Sequence, residues 1–108
     1  MTTFNEREKG FEKKFEHDQD LQFRATARKN KLLGLWAAGL IGKSGADADA
    51  YAKEVVVADL EKPGDSDVIE KLMKDFAVAG KPMEEHTIRK QSERLMAEAK
   101  AQIMKETR

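Results

Sequence analysis

Cysteine is absent from this chain, which excludes disulfides and thiolate metal sites. Together with the lack of an apolar leader segment, that absence points to a reducing, cytoplasmic setting. Proline occurs only at Pro63 and Pro82, and the seven glycines cluster at a few points. Long helices separated by short turns are expected from such punctuation. Charge of one sign is not in excess, since 20 basic side chains balance 20 acidic ones, and no global field would draw the chain to nucleic acid or to an anionic membrane. The longest apolar stretch, Leu32 to Ile41, is interrupted by Gly34 and Gly39 and reaches about half the roughly 20 residues of a membrane span. Burial in protein is expected for it, not membrane insertion. At 108 residues and 40% hydrophobic, the chain suits one all-α domain with a modest core.

Four helices fit the punctuation. The first is expected to run from Thr2 or Thr3 as N-cap to Ile41, where Gly42 tolerates the left-handed conformation that ends a helix. The second follows Ser44, whose hydroxyl would cap it in a box with Asp47, and stops at Pro63 and Gly64. The third follows Asp65, Ser66 and Asp67, with Val68, Ile69, Leu72, Met73 and Phe76 on one face before Gly80. The fourth would hold Pro82 in its first turn, with Glu84 and Glu85 at the positive end of its dipole and Lys105 and Arg108 at the other. Its buried stripe is expected to be Ile88, Leu95, Ala99 and Ile103.

The first helix changes character along its length. From Leu21 onward, Leu21, Ala25, Leu32, Leu35 and Trp36 share one face. The first twenty residues contain no Leu, Ile or Val, and after Met1 their bulky apolar groups are Phe4, Phe11 and Phe15, on a rotated face. Interleaved charges such as Lys14 and Asp18 give a helix about 0.2–0.5 kcal/mol per pair, while Gly10 costs roughly 1 kcal/mol relative to Ala. A mobile arm over residues 1–20 is therefore expected, joined to a bundle over residues 21–108. Either it is a helix end lying on the bundle, or it becomes helical when its phenylalanines enter a partner's groove.

Residues 37–44, ending Gly42, Lys43, Ser44, resemble the tail of a phosphate-binding P-loop, but no strand precedes them, and a helix terminator followed by an N-cap explains the same residues. Arg24, Arg28 and Lys31, with Lys29 nearby and Trp36 beyond, form the best local anion site. The competing explanation is that they solvate the stripe and pair with acids of a neighbouring helix such as Asp59 or Glu61. One short basic patch falls below a nucleic-acid footprint. His17 and His86 stand alone, without zinc-ligand spacing, so no metal is expected. Ser44, Ser66 and Ser92 lie in no nucleophile elbow, and no titratable pair suits acid and base roles. A binding protein and not an enzyme is expected.

Phe4, Asn5, Glu6, Arg7 and Glu8, then Phe11 to Phe15, then Ala27 to Ala38 with Tyr51 to Val56 and Ala79, Gly80 further on, together resemble the ζ subunit of the alphaproteobacterial F-type ATP synthase, a family long filed as a domain of unknown function. The resemblance implies a four-helix bundle whose N-terminal segment enters a catalytic interface between α and β subunits of the ATPase head, next to γ, and blocks ATP hydrolysis. On it, Phe4, Phe11 and Phe15 would bury in the interface, and Arg7, Glu8, Glu12 and Lys13 would select orientation. Asn5, where an acid is expected, and Gly10 are departures within the arm. The implied protein is monomeric when free, has no cofactor, and sits at the inner membrane only through the synthase. The alternative is a helical module that binds adenine nucleotide weakly at Arg24, Arg28, Lys31 and Trp36.

Overall fold

The computed structural model describes residues 18–61 and 65–106. Within them the chain forms four helices and folds as an all-α bundle: α1 (Gln19–Leu40), α2 (Ala46–Glu61), α3 (Asp65–Val78) and α4 (Glu85–Glu106). Helix α1 is the central element. It runs antiparallel to α2, with Gly34 against Ala52 and Phe23 near Leu60, and antiparallel to α4, with Ala25 packed near Ile103. Helix α3 packs against α2 and α4 and closes the main core.

The starts and stops follow local chemistry. Asp18 has an extended backbone (φ −103°, ψ 102°), and its carboxylate accepts the Leu21 N–H at 3.2 Å. An Asp in that role satisfies one of the orphan N–H groups of a first turn. The single helix expected from Thr2 or Thr3 to Ile41 is thus interrupted at Asp18, and residues 1–17 lie outside the described residues. Helix α1 ends in a Schellman turn: Gly42 takes φ +86°, its N–H donates to Gly39 at 3.4 Å, and the Lys43 N–H donates to the Ala38 carbonyl at 2.8 Å. Helix α3 ends in the same way, with Gly80 at φ +75°, its N–H on Ala77 at 3.0 Å, and Lys81 N–H on Phe76 at 2.9 Å.

Two other expectations shift slightly. Ser44 enters through its backbone carbonyl, which accepts the Asp47 N–H at 3.2 Å, and α2 starts at Ala46 behind Gly45 (φ +57°). Pro82 precedes α4 instead of opening it; the Glu84 carbonyl accepts the Ile88 N–H at 3.3 Å, and Glu85 occupies the first turn.

The core sits between α1, α2, α3 and α4 around Leu33, Val55, Leu72, Phe76 and Ile88, all within 1% of complete burial. Each such side chain contributes about 1.5–3 kcal/mol relative to exposure. A smaller cluster of Leu21, Ala25 and Ile103, with Met96 against it, ties the start of α1 to the end of α4. The α3 face and the α4 stripe of Ile88, Leu95, Ala99 and Ile103 are buried as expected, with Met73 half-buried and Ser92 added. On α1 the expected stripe is displaced. Leu21 and Ala25 are buried, but Leu32, Leu35 and Trp36 are only half-buried, while Lys29, Asn30, Leu33, Gly34, Ala37 and Ala38 are fully covered. The reason is that α1 is flanked on two sides, so a lysine, an asparagine and a glycine fall within its hidden surface.

Candidate functional site

The arm residues Phe4, Arg7, Glu8, Phe11, Glu12, Lys13 and Phe15 lie outside the described residues, as does His17. The structure describes the ground they stand on: the Asp18 cap, the first turns of α1 and the end of α2 that lies beside them.

The basic patch is divided among neighbours. Arg24 and Lys31 are exposed. Arg28 donates through Nη1 to Gln102 Oε1 at 2.7 Å and through Nη2 to both carboxylate oxygens of Glu106 at 2.7 and 3.0 Å. Its acid therefore comes from α4 and not from Asp59 or Glu61 of α2. With the two side chains 30% and 45% exposed, the bridge is screened by solvent and is worth less than about 1 kcal/mol. Trp36 engages a different helix: its ring meets Phe76 of α3 edge-on, with centroids 5.7 Å apart. The structure does not bring Arg28 and Trp36 to one partner, and any anion held by Arg28 has to displace Glu106.

Two groups that the sequence reading leaves aside are more telling. Lys29 is 2% exposed, its aliphatic stem in line with Ala25 and Leu33. Asn30 is fully buried, and neither its Oδ1 nor its Nδ2 has a hydrogen-bond partner. Asn30 lines a gap of about 20 Å³ between α1 and α2, together with Phe23, Thr26 and Ala27 on one side and Val56, Asp59 and Leu60 on the other. Phe23 and Leu60, at its rim, are more than half exposed. Nothing in the periodicity of α1 marks Phe23, because it falls between the two buried faces.

At the other end of α2, Tyr51 is 5% exposed and its hydroxyl donates to Asp75 Oδ2 at 2.6 Å. Lys71 donates to the same oxygen at 3.0 Å, and its ammonium stands 5.1 Å from the centre of the Tyr51 ring. Burial, reinforced by the hydrogen bond to Asp75 and the negative charge of Asp75 and Glu54, pushes the phenol far above its usual range. Tyr51 is thus a neutral donor that pins α2 to α3. Among the described residues no group of His, Cys, Asp and Glu is arranged to hold a metal ion, and no helix is long and apolar enough to cross a membrane.

Compared with known families, residues 1–102 match the model described as ATPase inhibitor subunit zeta. The chain belongs to that family. A protein whose structure was solved by solution NMR is 50% identical to this zeta-family chain, covering 80% of it and 98% of its own length with a TM-score of 0.70. A comparison with curated proteins finds no match. Membership makes this an inhibitor subunit, regulatory and not catalytic in kind, and association with an ATP synthase follows from it. The matched span takes in the arm, the Asp18 cap, the basic patch and the Tyr51 cluster, so the zeta family has the arm and the bundle as one unit.

Proposed function

We propose that this zeta-family protein inhibits ATP hydrolysis by an F-type ATP synthase, inserting its N-terminal segment at a catalytic α/β interface, close to γ, while the bundle stays outside. Phe4, Phe11 and Phe15 bury in that interface, each adding about 1.5–3 kcal/mol. Arg7, Glu8, Glu12 and Lys13 select the orientation through charge pairs, which govern encounter and register more than affinity. Inhibition is steric: a segment wedged between subunits obstructs the closure that hydrolysis needs, and the inhibitor itself undergoes no reaction.

The observation that supports this reading is the family match beginning at residue 1, joined to the Asp18 cap that starts α1 afresh. The three phenylalanines therefore fall outside the stripe that builds the bundle. The test is a titration of ATP hydrolysis by the synthase head with the full chain and with a variant carrying Phe4→Ala, Phe11→Ala and Phe15→Ala. Saturable inhibition by the natural chain, weakened by at least tenfold in the variant, is the expected outcome. Equal inhibition by both would move the activity out of the arm. Adenine nucleotide at Arg24, Arg28, Lys31 and Trp36 has weaker support, because Glu106 already holds Arg28 and Trp36 packs on α3.

A further inference from the structure

The bundle exposes an apolar strip beside the root of the arm. Phe23 is 57% exposed, Leu60 52% and Val57 47%. Single exposed hydrophobics need no explanation, but here Phe23 and Leu60 flank one gap, and Val57 lies one turn further along α2. Beneath the strip is Asn30 with its unpartnered amide, so this end of the α1–α2 seam is closed on neither polar nor apolar terms. From Val57 the strip opens into a shallow groove of about 410 Å³, bordered by Lys53, Glu54, Ala58 and Glu61.

We propose that, in the free protein, Phe11 and Phe15 of the N-terminal segment lie on the strip formed by Phe23, Leu60 and Val57, so that the bundle itself holds these rings until a stronger site competes. The docking stands on reach and chemistry alone; its regulatory consequence rests on the reading of these phenylalanines as the inhibitory contacts.

Reach is the first argument. Seventeen residues precede Asp18, and the extended backbone of Asp18 turns the chain off the α1 axis at its root. Phe15 is joined to Asp18 by a link that spans at most about 10 Å. Phe23 lies roughly 7.5 Å along α1 from the same residue, by the helical rise. Phe15 can therefore reach Phe23 and Leu60 without strain. Phe11, about 6 Å from Phe15 when the segment is helical, then falls over Val57 and the mouth of the groove, itself about 4.5 Å along α2 from Leu60.

Chemistry is the second. The segment has no aliphatic Leu, Ile or Val, and its apolar content apart from Met1 is three phenylalanines. Phe11 and Phe15, four apart, share a helical face. The gap between Phe23 and Leu60 is too small for a ring, so the rings lie over it and cover Phe23, Leu60 and Val57 from outside. Glu12, Lys13 and Glu16 beside them match the mixed signs of Lys53, Glu54 and Glu61 along the groove. Docking of this kind makes the competent state of the inhibitor a fraction of the total, and apparent affinity for the ATPase falls by that fraction.

The test uses the full chain, methyl-labelled, with and without Phe11→Ala and Phe15→Ala. The expected result is a change in the methyl resonances of Leu60 and Val57 when the rings are removed, with Val55 and Ile88 unmoved and the effect independent of protein concentration. Unchanged Leu60 and Val57 resonances would overturn the proposal, as would changes that disappear on dilution, which would mean contact with a second copy. A second measurement uses Leu60→Lys, an exposed site where the fold is kept, in the ATPase titration. Self-docking predicts half-inhibition at roughly three- to tenfold lower concentration. Weaker inhibition by Leu60→Lys would overturn it, showing that the strip meets the ATPase head. If the natural chain fails to inhibit while the methyl changes persist, the inhibitor reading falls and the docking stands.

Discussion

The two ends of the α1–α2 seam are built on opposite terms. Near the turn that joins the helices, Gly34 brings the backbones so close that an added Cβ would lie 2.7 Å from Ala52 Cα and 3.2 Å from Val55 Cγ2. Near the arm, the same two helices part around Asn30, leaving the gap rimmed by Phe23 and Leu60. The difference lies in side-chain size. Gly34, Ala37, Ala38 and Ala52 let the helices close, and every one of them except Gly34, which has no side chain to bury, is a buried small hydrophobic. At the open end, Phe23 and Leu60 are too large for the interface and turn outward. One end is committed to the fold, while the other offers its surface to the arm.

Gly34→Ala should produce the largest loss. Overpacking costs about 1–3 kcal/mol, and a contact of Cβ with backbone lies toward the upper end because no side chain can swing away. Ala returns about 1 kcal/mol in helix propensity. The net loss is about 2 kcal/mol, seen as a fall of roughly 8–16 °C in melting temperature for a chain of this size. Gly39, in the same helix, has nothing within 4 Å of an added Cβ. Gly39→Ala should therefore raise the melting temperature. Two losses, or two gains, would break the contrast between tight and open ground.

The closed end can also be probed through Tyr51, the neighbour of Ala52. Tyr51→Phe removes the donor to Asp75 but leaves Lys71 on the same oxygen, so the loss should be about 1 kcal/mol. The phenol's folded pKa is raised above its ordinary value near 10. The folded state therefore keeps the proton when the unfolded state gives it up, and stability falls as pH rises. The contribution is fully present below pH 10 and is lost progressively above it. Thermal melts at pH 8 and pH 11 should show a drop in the natural chain that is smaller in Tyr51→Phe; equal drops would mean that the phenol is not held neutral by the fold.

Much of this architecture is legible in the residues. Helix α3 reads directly, since Val68, Ile69, Leu72 and Phe76 form one continuous apolar face and Gly80 follows. The stripe of α4 reads equally well. Helix α1 misleads, because its hidden face includes Lys29, Asn30 and Gly34, residue types that a periodicity argument assigns to solvent or to a break. Gly34 and Gly39 look alike as interruptions of one apolar run; only the position of Ala52 shows that the first is a contact and the second is open. Among the site residues, the basic patch was visible as charge, but the capture of Arg28 by Glu106 depends on where α4 ends, which no local pattern reports. Phe23 and Leu60 are ordinary apolar residues until the fold places them side by side beside the root of the arm.

The smallest expected effect has the opposite sign and tests the open end directly. Asn30→Leu replaces a fully buried amide that has no partner with a side chain of the same branching and the same number of heavy atoms. An unsatisfied buried polar group costs about 1–3 kcal/mol, and replacing it with an apolar group of similar shape recovers part of that. Two methyl groups are bulkier than an oxygen and an amino group, but the adjoining gap of about 20 Å³ accepts the growth where the ground around Gly34 would not. The net result should be a gain of under about 1 kcal/mol, read as a small rise in melting temperature. A loss of more than about 1 kcal/mol would mean that the amide is satisfied within the gap, whose volume suits a single water. In that case the open end is a polar joint, and the outward turn of Phe23 and Leu60 reflects what the joint requires as well as their size.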